Sequence, residues 1–331
     1  MLIGTLNIEN INPVKQIVKK CKRFSSSLEH SHQHIIIEFE KGLNPADLDA
    51  SKVEAQILGY GEISTVFQID GLELLACKRM PLFEKKSDAE AYERNYRLYC
   101  RHLSDAGITI PNDYTLVVEN QGRPVTLYII QDQLQASNFA HKLIHTESDK
   151  ESESIIRSVV IEIKKIWDYN RQKSPDLELA LDGQLSNWVK SGNQFIYIDT
   201  STPLFKIKGI EQLDPELFLK SAPSFLRWLI RWLFLQDVMD RYYNLRQVLL
   251  DLAGNLYKEN KPELIPAALK IINDNLDEND EPIIEKEVTK YYKEDKLIWA
   301  LFLALRRFDR LLKTTLFRQR YEYILPGNIE R

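Results

Sequence analysis

Two clusters in this chain have residue types and spacings suited to handling phosphate. The first runs Leu58-Gly59-Tyr60-Gly61-Glu62-Ile63-Ser64-Thr65-Val66, then Asp70-Gly71, then Leu75-Ala76-Cys77-Lys78. It reads as a glycine loop between two strands, a turn, and a lysine near the end of the second strand. A backbone that approaches phosphate oxygens closely cannot carry Cβ atoms at its tight points, and Gly59 and Gly61 remove them. Val66 offers an apolar flank for a planar base. Lys78, at the end of the strand that carries Ala76, offers an ammonium to phosphate charge. The pattern is G-x-G-x-x-G-x-V followed by a V-A-I-K-like strand, with Ser64 where the third glycine would stand.

The second cluster begins about a hundred residues later. Leu181-Asp182-Gly183-Gln184-Leu185-Ser186-Asn187-Trp188 is a polar loop, and a turn at Ser191-Gly192-Asn193 leads to the apolar strand Phe195-Ile196-Tyr197-Ile198-Asp199. Phosphoryl transfer from ATP needs a carboxylate to orient the acceptor hydroxyl, and oxygen ligands that hold Mg2+ on the phosphates. Asp182 suits the first task, and Asn187 and Asp199 suit the second. With these motifs in this order, residues 52–203 resemble the protein-kinase-like superfamily, nearest to its small-molecule branch of aminoglycoside phosphotransferases and choline kinases. In that branch the catalytic Asp stands five residues before the Asn, as Asp182 does before Asn187, and the metal-binding Asp follows a hairpin, as Asp199 does. The resemblance implies a glutamate on the first helix that holds the lysine. Glu93 fits the apolar phase of that helix, with Glu90 as the alternative. Two positions depart from the family. Ala180 stands where a His is often found, and Thr200-Ser201-Thr202-Pro203 replaces a Phe-Gly-like pair. These departures argue against a typical protein kinase.

The elements that must position these groups follow from periodicity. Strands are expected from residue 53, with Asp70-Gly71 as a two-residue hairpin turn. Residues 87–103 read as a helix with Tyr92, Tyr96, Tyr99 and Leu103 on one stripe. A hairpin over 114–119 and 125–130 follows, and Gln131-Asp132-Gln133 would be the hinge whose backbone faces an adenine edge. Residues 151–172 predict a helix with Ile155, Ile156, Val159, Val160, Ile163, Ile166 and Trp167 inside. Beyond Pro203 the chain reads as almost wholly helical. One long helix is expected over 223–258, carrying Trp228, Leu229, Trp232, Leu233, Leu235, Val238, Tyr242 and Leu245. Another is expected over 296–321, with Leu297, Leu301, Leu305, Phe308 and Leu312 as core. Residues 273–287 form an acidic inter-helix loop. Arg227, Arg231, Arg241 and Arg246, and a second set at Arg306, Arg307, Arg310, Arg318 and Arg320, read as salt-bridged faces.

Residues 13–24 suggest a short basic amphipathic helix, followed by Ser25-Ser26-Ser27. His30, His32 and His34 would share one face of a strand. No carboxylate or cysteine joins them at ligand spacing, so a surface strand or loop is the expectation there. The length of 331 residues is enough for two lobes. A hydrophobic content of 44 % and a charged content of 28 % place the chain among ordinary globular proteins. The net charge of −4 gives no reason to expect nucleic acid. Cys21, Cys77 and Cys100 lack metal or disulfide spacing, which fits a reducing compartment. No run has the length and purity of a membrane span, and no basic-then-apolar leader opens the sequence, so the cytoplasm is the expected location.

The expected fold is therefore α+β and bilobal. Residues 1–50 would be an N-terminal extension, 51–133 a nucleotide-binding lobe with a small antiparallel sheet and one helix, and 134–331 a helical lobe that holds the acceptor. The expected activity is ATP- and Mg2+-dependent transfer to a small hydroxyl or amine acceptor. The alternatives are a nucleotide-binding pseudokinase or scaffold, and nucleotidyl transfer by the same groups. The six histidines, at 30, 32, 34, 102, 141 and 145, lie away from the Asp182 loop, which disfavours zinc or histidine chemistry.

Overall fold

The computed structural model describes residues 31–61, 64–214, 216–219 and 236–325. The expected basic helix at 13–24, the loop 25–27, His30, Cys21, and the run from Trp228 to Leu235 with Arg227 and Arg231 all lie outside the described residues. The fold is α+β, with small antiparallel sheets beside a helical region.

A five-stranded antiparallel sheet has the order β1 (Ala55–Tyr60), β2 (Thr65–Ile69), β3 (Leu75–Phe83), β5 (Val125–Asp132), β4 (Asp113–Val118). Because side chains alternate along a strand, the sheet has two distinct faces. One face carries Phe67, Ile69, Cys77, Tyr128 and Ile130, and it packs against Ile36, Phe39 and Leu43. Ile36 and Phe39 belong to a helix over residues 31–42 (α1), and Leu43 follows it. Residues 31–43 are therefore core to the sheet rather than an appendage outside the lobe. His32 and His34 sit on this helix and not on a strand, since the apolar spacing of Ile36, Phe39 and Leu43 follows the helical period.

The other face meets α2 (Lys86–Asp105), whose buried stripe is Ala89, Tyr92, Tyr96, Tyr99, Cys100 and Leu103. Beyond α2 the same core continues into the helical region without a break. There α3 (Ala140–Thr146) leads to α4 (Asp149–Lys173). A capping box between Ser148 and Glu151 starts α4, and Ile155, Ile156, Val159, Val160, Ile163 and Ile166 line its buried side. The short strand β6 (Leu177–Leu179) pairs with β9 (Phe205–Ile207), which pairs with β10 (Ile210–Glu211). Between them β7 (Trp188–Ser191) and β8 (Gln194–Tyr197) form a hairpin. Its turn uses Gly192 at φ +59°, a left-handed conformation that glycine adopts without cost. A one-turn helix α5 (Glu216–Leu219) precedes α6 (Gln236–Tyr242), α7 (Leu245–Lys258), α8 (Ile265–Asn273) and α9 (Glu285–Leu311).

Several expectations change. The Asp70-Gly71 turn is present, with the Leu72 amide bonding the Ile69 carbonyl at 2.8 Å, but a second turn from Leu72 to Leu75 lengthens the connection beyond two residues. The helix expected over 223–258 is broken at Tyr243-Asn244, where the Asn244 side chain accepts from the Gln247 amide and starts α7. The last helix starts at Glu285, earlier than expected. It passes into a π-helical turn at Leu312–Leu316, and then to an extended segment. Its stripe is not core throughout, since Leu297, Leu301 and Phe308 are exposed. The buried residues of α9 are Val288, Arg306 and Asp309, so the packing face is turned away from the leucine stripe. Among the described residues, no helix is long and apolar enough to cross a membrane.

Candidate functional site

β3 and the end of the β7–β8 hairpin bring the two chemical clusters together. Lys78 and Asp199 are 121 residues apart, and Lys78 Nζ donates to Asp199 Oδ1 at 2.8 Å. Val66 pairs with Lys78 across the β2–β3 ladder, Gly59 pairs with Val66 across the β1–β2 ladder, and Ala76 lies two residues before Lys78. Gly59, Val66, Ala76 and Lys78 therefore form one patch on one sheet face. A Cβ added at Gly59 would meet nothing within 4 Å among the described residues. At Gly61 an added Cβ would lie 2.6 Å from Ser64 Oγ, and the Gly61 amide bonds the Ser64 carbonyl at 3.0 Å. The serine in the third glycine's place thus closes the hairpin tip. Glu62 and Ile63, between them, lie outside the described residues.

Backbone and side-chain bonds tie Asp182 and Asn187 to the same point. The Ile198 amide donates to the Asn187 carbonyl at 3.0 Å, which sets Asn187 beside the residue preceding Asp199. Asn187 Nδ2 donates to the Asp182 carbonyl at 3.2 Å, and Asp182 Oδ1 accepts from the Gln184 amide at 3.0 Å. The loop's backbone is held by two buried phenols. Tyr99 donates to the Ala180 carbonyl at 2.8 Å, and the Tyr197 oxygen accepts from the Asp182 amide at 3.2 Å. Burial pushes both phenols well above the usual tyrosine range, so both stay neutral. Ala180, where a histidine was the family expectation, is wholly buried under the Tyr99 bond.

Three further residues hold the loop. Asn170 on α4 bonds both backbone groups of Leu179, at 2.7 and 2.8 Å. Asn255 on α7 donates to Gln184 Oε1 at 3.1 Å. Gly183 lets the loop lie flat on two helices, because a Cβ there would come within 2.8 Å of Ile163 Cδ1 and Val248 Cγ1. Sequence reasoning passed over all three, although a glycine directly after the acid was visible.

Glu93 is a correction. It accepts a hydrogen bond from Thr115 on β4, and neither it nor Glu90 pairs with Lys78. Thr115 and Lys78 both stand opposite Ile129 of β5, one on each side. At the usual strand spacing, Glu93 is anchored about 10 Å from the lysine strand. The lysine is held instead by Asp199 and by Ser201 Oγ. Burial alone would raise the Asp199 carboxyl. The Lys78 charge and the hydrogen bonds from Lys78 and Ser201 outweigh it and keep the group below the usual carboxylate range.

The hinge also differs. The Asp132 amide donates to the Asn112 carbonyl at 3.1 Å and the Gln133 amide to the Leu74 carbonyl at 2.8 Å. Gln131 Nε2 donates to Thr200 Oγ1 at 2.9 Å. The backbone donors of Asp132 and Gln133 are thus engaged within the protein, which leaves carbonyls as the groups these two residues could offer a base edge.

Asp199 and Asn187 are hard oxygen donors of the kind that suits Mg2+. Among the described residues no group of three His, Cys, Asp or Glu side chains converges, so a metal here would take its remaining ligands from phosphate oxygens and water. A cleft of about 700 Å³ lined by Arg171, Asp176, Glu178, Lys208 and Tyr243 includes none of the site residues.

The architecture is thus an α+β chain in which a lysine strand faces an Asp-Asn loop and a hairpin aspartate. The chain belongs to the family described as a family of unknown function, DUF6206, which matches residues 46–310. Nothing among curated proteins matches it.

Proposed function

We propose that this chain is an ATP- and Mg2+-dependent phosphotransferase of the bilobal, protein-kinase-like type, acting on a small hydroxyl or amine acceptor. The observation that carries the reading is the 2.8 Å contact between Lys78 and Asp199, with Asn187 and Asp182 bonded into the same loop. On this reading the sheet lobe ends near residue 133 and the helical lobe supplies the acceptor side. Lys78 binds the α- and β-phosphates. Gly59, Gly61 and Ser64 form the hairpin over them, with Val66 and Ala76 beneath the base. Asn187 and Asp199 would hold Mg2+, which supplies charge neutralisation on the phosphates when bound. Asp182 aligns the acceptor hydroxyl; a carboxylate is a weak base for an alcohol, so alignment is its main contribution. The free thiols of Cys77 and Cys100 support a reducing, cytoplasmic setting.

A second reading, nucleotide binding without transfer, draws on one observation. Lys78 and Ser201 both bond Asp199 Oδ1, the carboxylate that the first reading gives to the metal. A screen of small alcohols and amines with ATP, read by product mass, separates the cases. A phosphate adduct formed by wild type and lost in Asp182→Asn supports transfer. A nucleotide adduct would mean nucleotidyl transfer, and Mg-ATP binding with no adduct would favour the scaffold.

A further inference from the structure

We infer that Ser201, anchored by Tyr92, is the positioning residue that keeps Lys78 aimed into the site in place of a helix carboxylate. The inference rests on the phosphotransferase reading and concerns what holds its lysine.

Ser201 Oγ accepts from Lys78 Nζ and lies 3.2 Å from Asp199 Oδ1, to which it donates its own proton. The hydroxyl thus bridges the pair, accepting from the ammonium and donating to the carboxylate. Its backbone is fixed as well, since Tyr92 Oη donates to the Ser201 carbonyl at 2.7 Å. Thr200, one residue earlier, is fixed by Gln131 at 2.9 Å and by the Tyr96 phenol at 3.4 Å. The two residues that depart from the Phe-Gly-like pair therefore pin this segment to α2 and to β5. Ser201 is only 5 % exposed, so the contact is built into the interior.

The reason Ser201 matters more than Asp199 lies in competition. Asp199 Oδ1 holds the ammonium, and the same carboxylate is the group offered to a cation, so the two compete for its charge. Once the carboxylate turns to a metal, Lys78 loses its charged partner, and the serine hydroxyl is what remains within reach. A neutral acceptor also leaves the full positive charge of the ammonium for phosphate, whereas a glutamate would cancel part of it. Tyr92 and Tyr96 both reach this segment from α2, and Glu93, which lies between them in sequence, faces Thr115.

The test uses the full chain as wild type, Ser201→Ala, Ser201→Thr and Glu93→Gln, with two readouts. Amine-directed labelling followed by mass spectrometry reports how accessible Lys78 is without nucleotide. Calorimetric titration compares Mg-ATP with adenosine, which has no phosphates. The expectation is faster labelling of Lys78 in Ser201→Ala, about tenfold weaker Mg-ATP binding and unchanged adenosine binding. Ser201→Thr should restore both properties, and Glu93→Gln should leave labelling as in wild type. The inference is overturned if Ser201→Ala leaves Lys78 protected, if it weakens adenosine as much as ATP, or if Glu93→Gln produces the effect instead. Wild type that binds no Mg-ATP sinks the phosphotransferase reading itself, while the labelling still decides the lysine contact.

Discussion

Lys78 and Arg79 are adjacent cations on one strand, and alternation sends them to opposite faces of the sheet. Arg79 is 2 % exposed, and each of its three nitrogens donates a hydrogen bond. Its Nε and Nη2 bond the Glu40 carboxylate at 2.6 and 2.8 Å, and it reaches the Glu322 carbonyl at 2.7 Å and the Glu322 carboxylate at 2.9 Å. Arg123 and the Tyr128 phenol complete this network on Glu40. Lys78 instead keeps 15 % exposure and, among the described residues, bonds Asp199 and Ser201. The difference is between a fully interior cluster that joins α1, β3 and the segment after α9, and a partly exposed one whose ammonium keeps one donor for something else. Burial with dense pairing marks structure here, and partial pairing with some exposure marks the candidate site.

The comparison can be broken most easily on the Arg79 side. Arg79→Met leaves Glu40 and Glu322 buried with fewer partners, and removing one member of such a buried pair costs about 3–5 kcal/mol. Urea denaturation should show that loss, while Lys78→Met should cost less, because Asp199 is more exposed than Glu40 and keeps the Ser201 hydrogen bond. Equal losses would mean the two faces are not distinct. Next in size, Asp182→Asn should slow transfer about a hundredfold or more with the melting temperature near wild type. A slower mutant that also unfolds early would place Asp182 with the structural residues. Gly183→Ala should destabilise by about 1–3 kcal/mol, because its Cβ has to displace Ile163 or Val248. An unchanged denaturation midpoint would show that the loop has slack.

The smallest effect concerns acid. Burial raises the Glu322 carboxyl, but Arg79 and Arg123 outweigh it and hold the group below the usual glutamate value. A carboxylate lowered in the folded state adds stability above its unfolded pKa and loses it as the pH falls through the folded one. Melting temperature should therefore decline from the usual glutamate range downward, and Glu322→Gln should flatten that acid limb. A variant as acid-sensitive as wild type would assign the limb to other carboxylates.

The site was legible where chemistry follows local spacing. The Asp182–Asn187 interval, the glycine turn and the aspartate after it are short-range signals, and the structure brings them to Lys78. Glu93 misled because helical phase narrows the choice to a stripe and cannot separate neighbours across the intervening strand β5. Thr200 and Ser201 looked like a loss relative to a family pattern, yet two hydroxyls beside a metal-type aspartate were a usable sign of hydrogen bonding. The Glu40–Arg79–Arg123–Glu322 network had no local signature, since its members come from four distant parts of the chain. Helix α1 was missed for a related reason, because its apolar residues, Ile35 to Ile37 and Phe39, form too short a run to reveal that a sheet face awaits them.

The central claim is that Lys78 and Asp199 together form a site for a magnesium-bound nucleoside triphosphate. It is tested most directly by the melting temperature of the full chain with ATP, with and without Mg2+, in wild type and in Lys78→Met. The account predicts a rise for wild type that needs the metal and grows with ligand concentration, and none for Lys78→Met. A wild-type protein whose melting temperature ignores Mg-ATP, or a Lys78→Met protein that responds as fully as wild type, would contradict it.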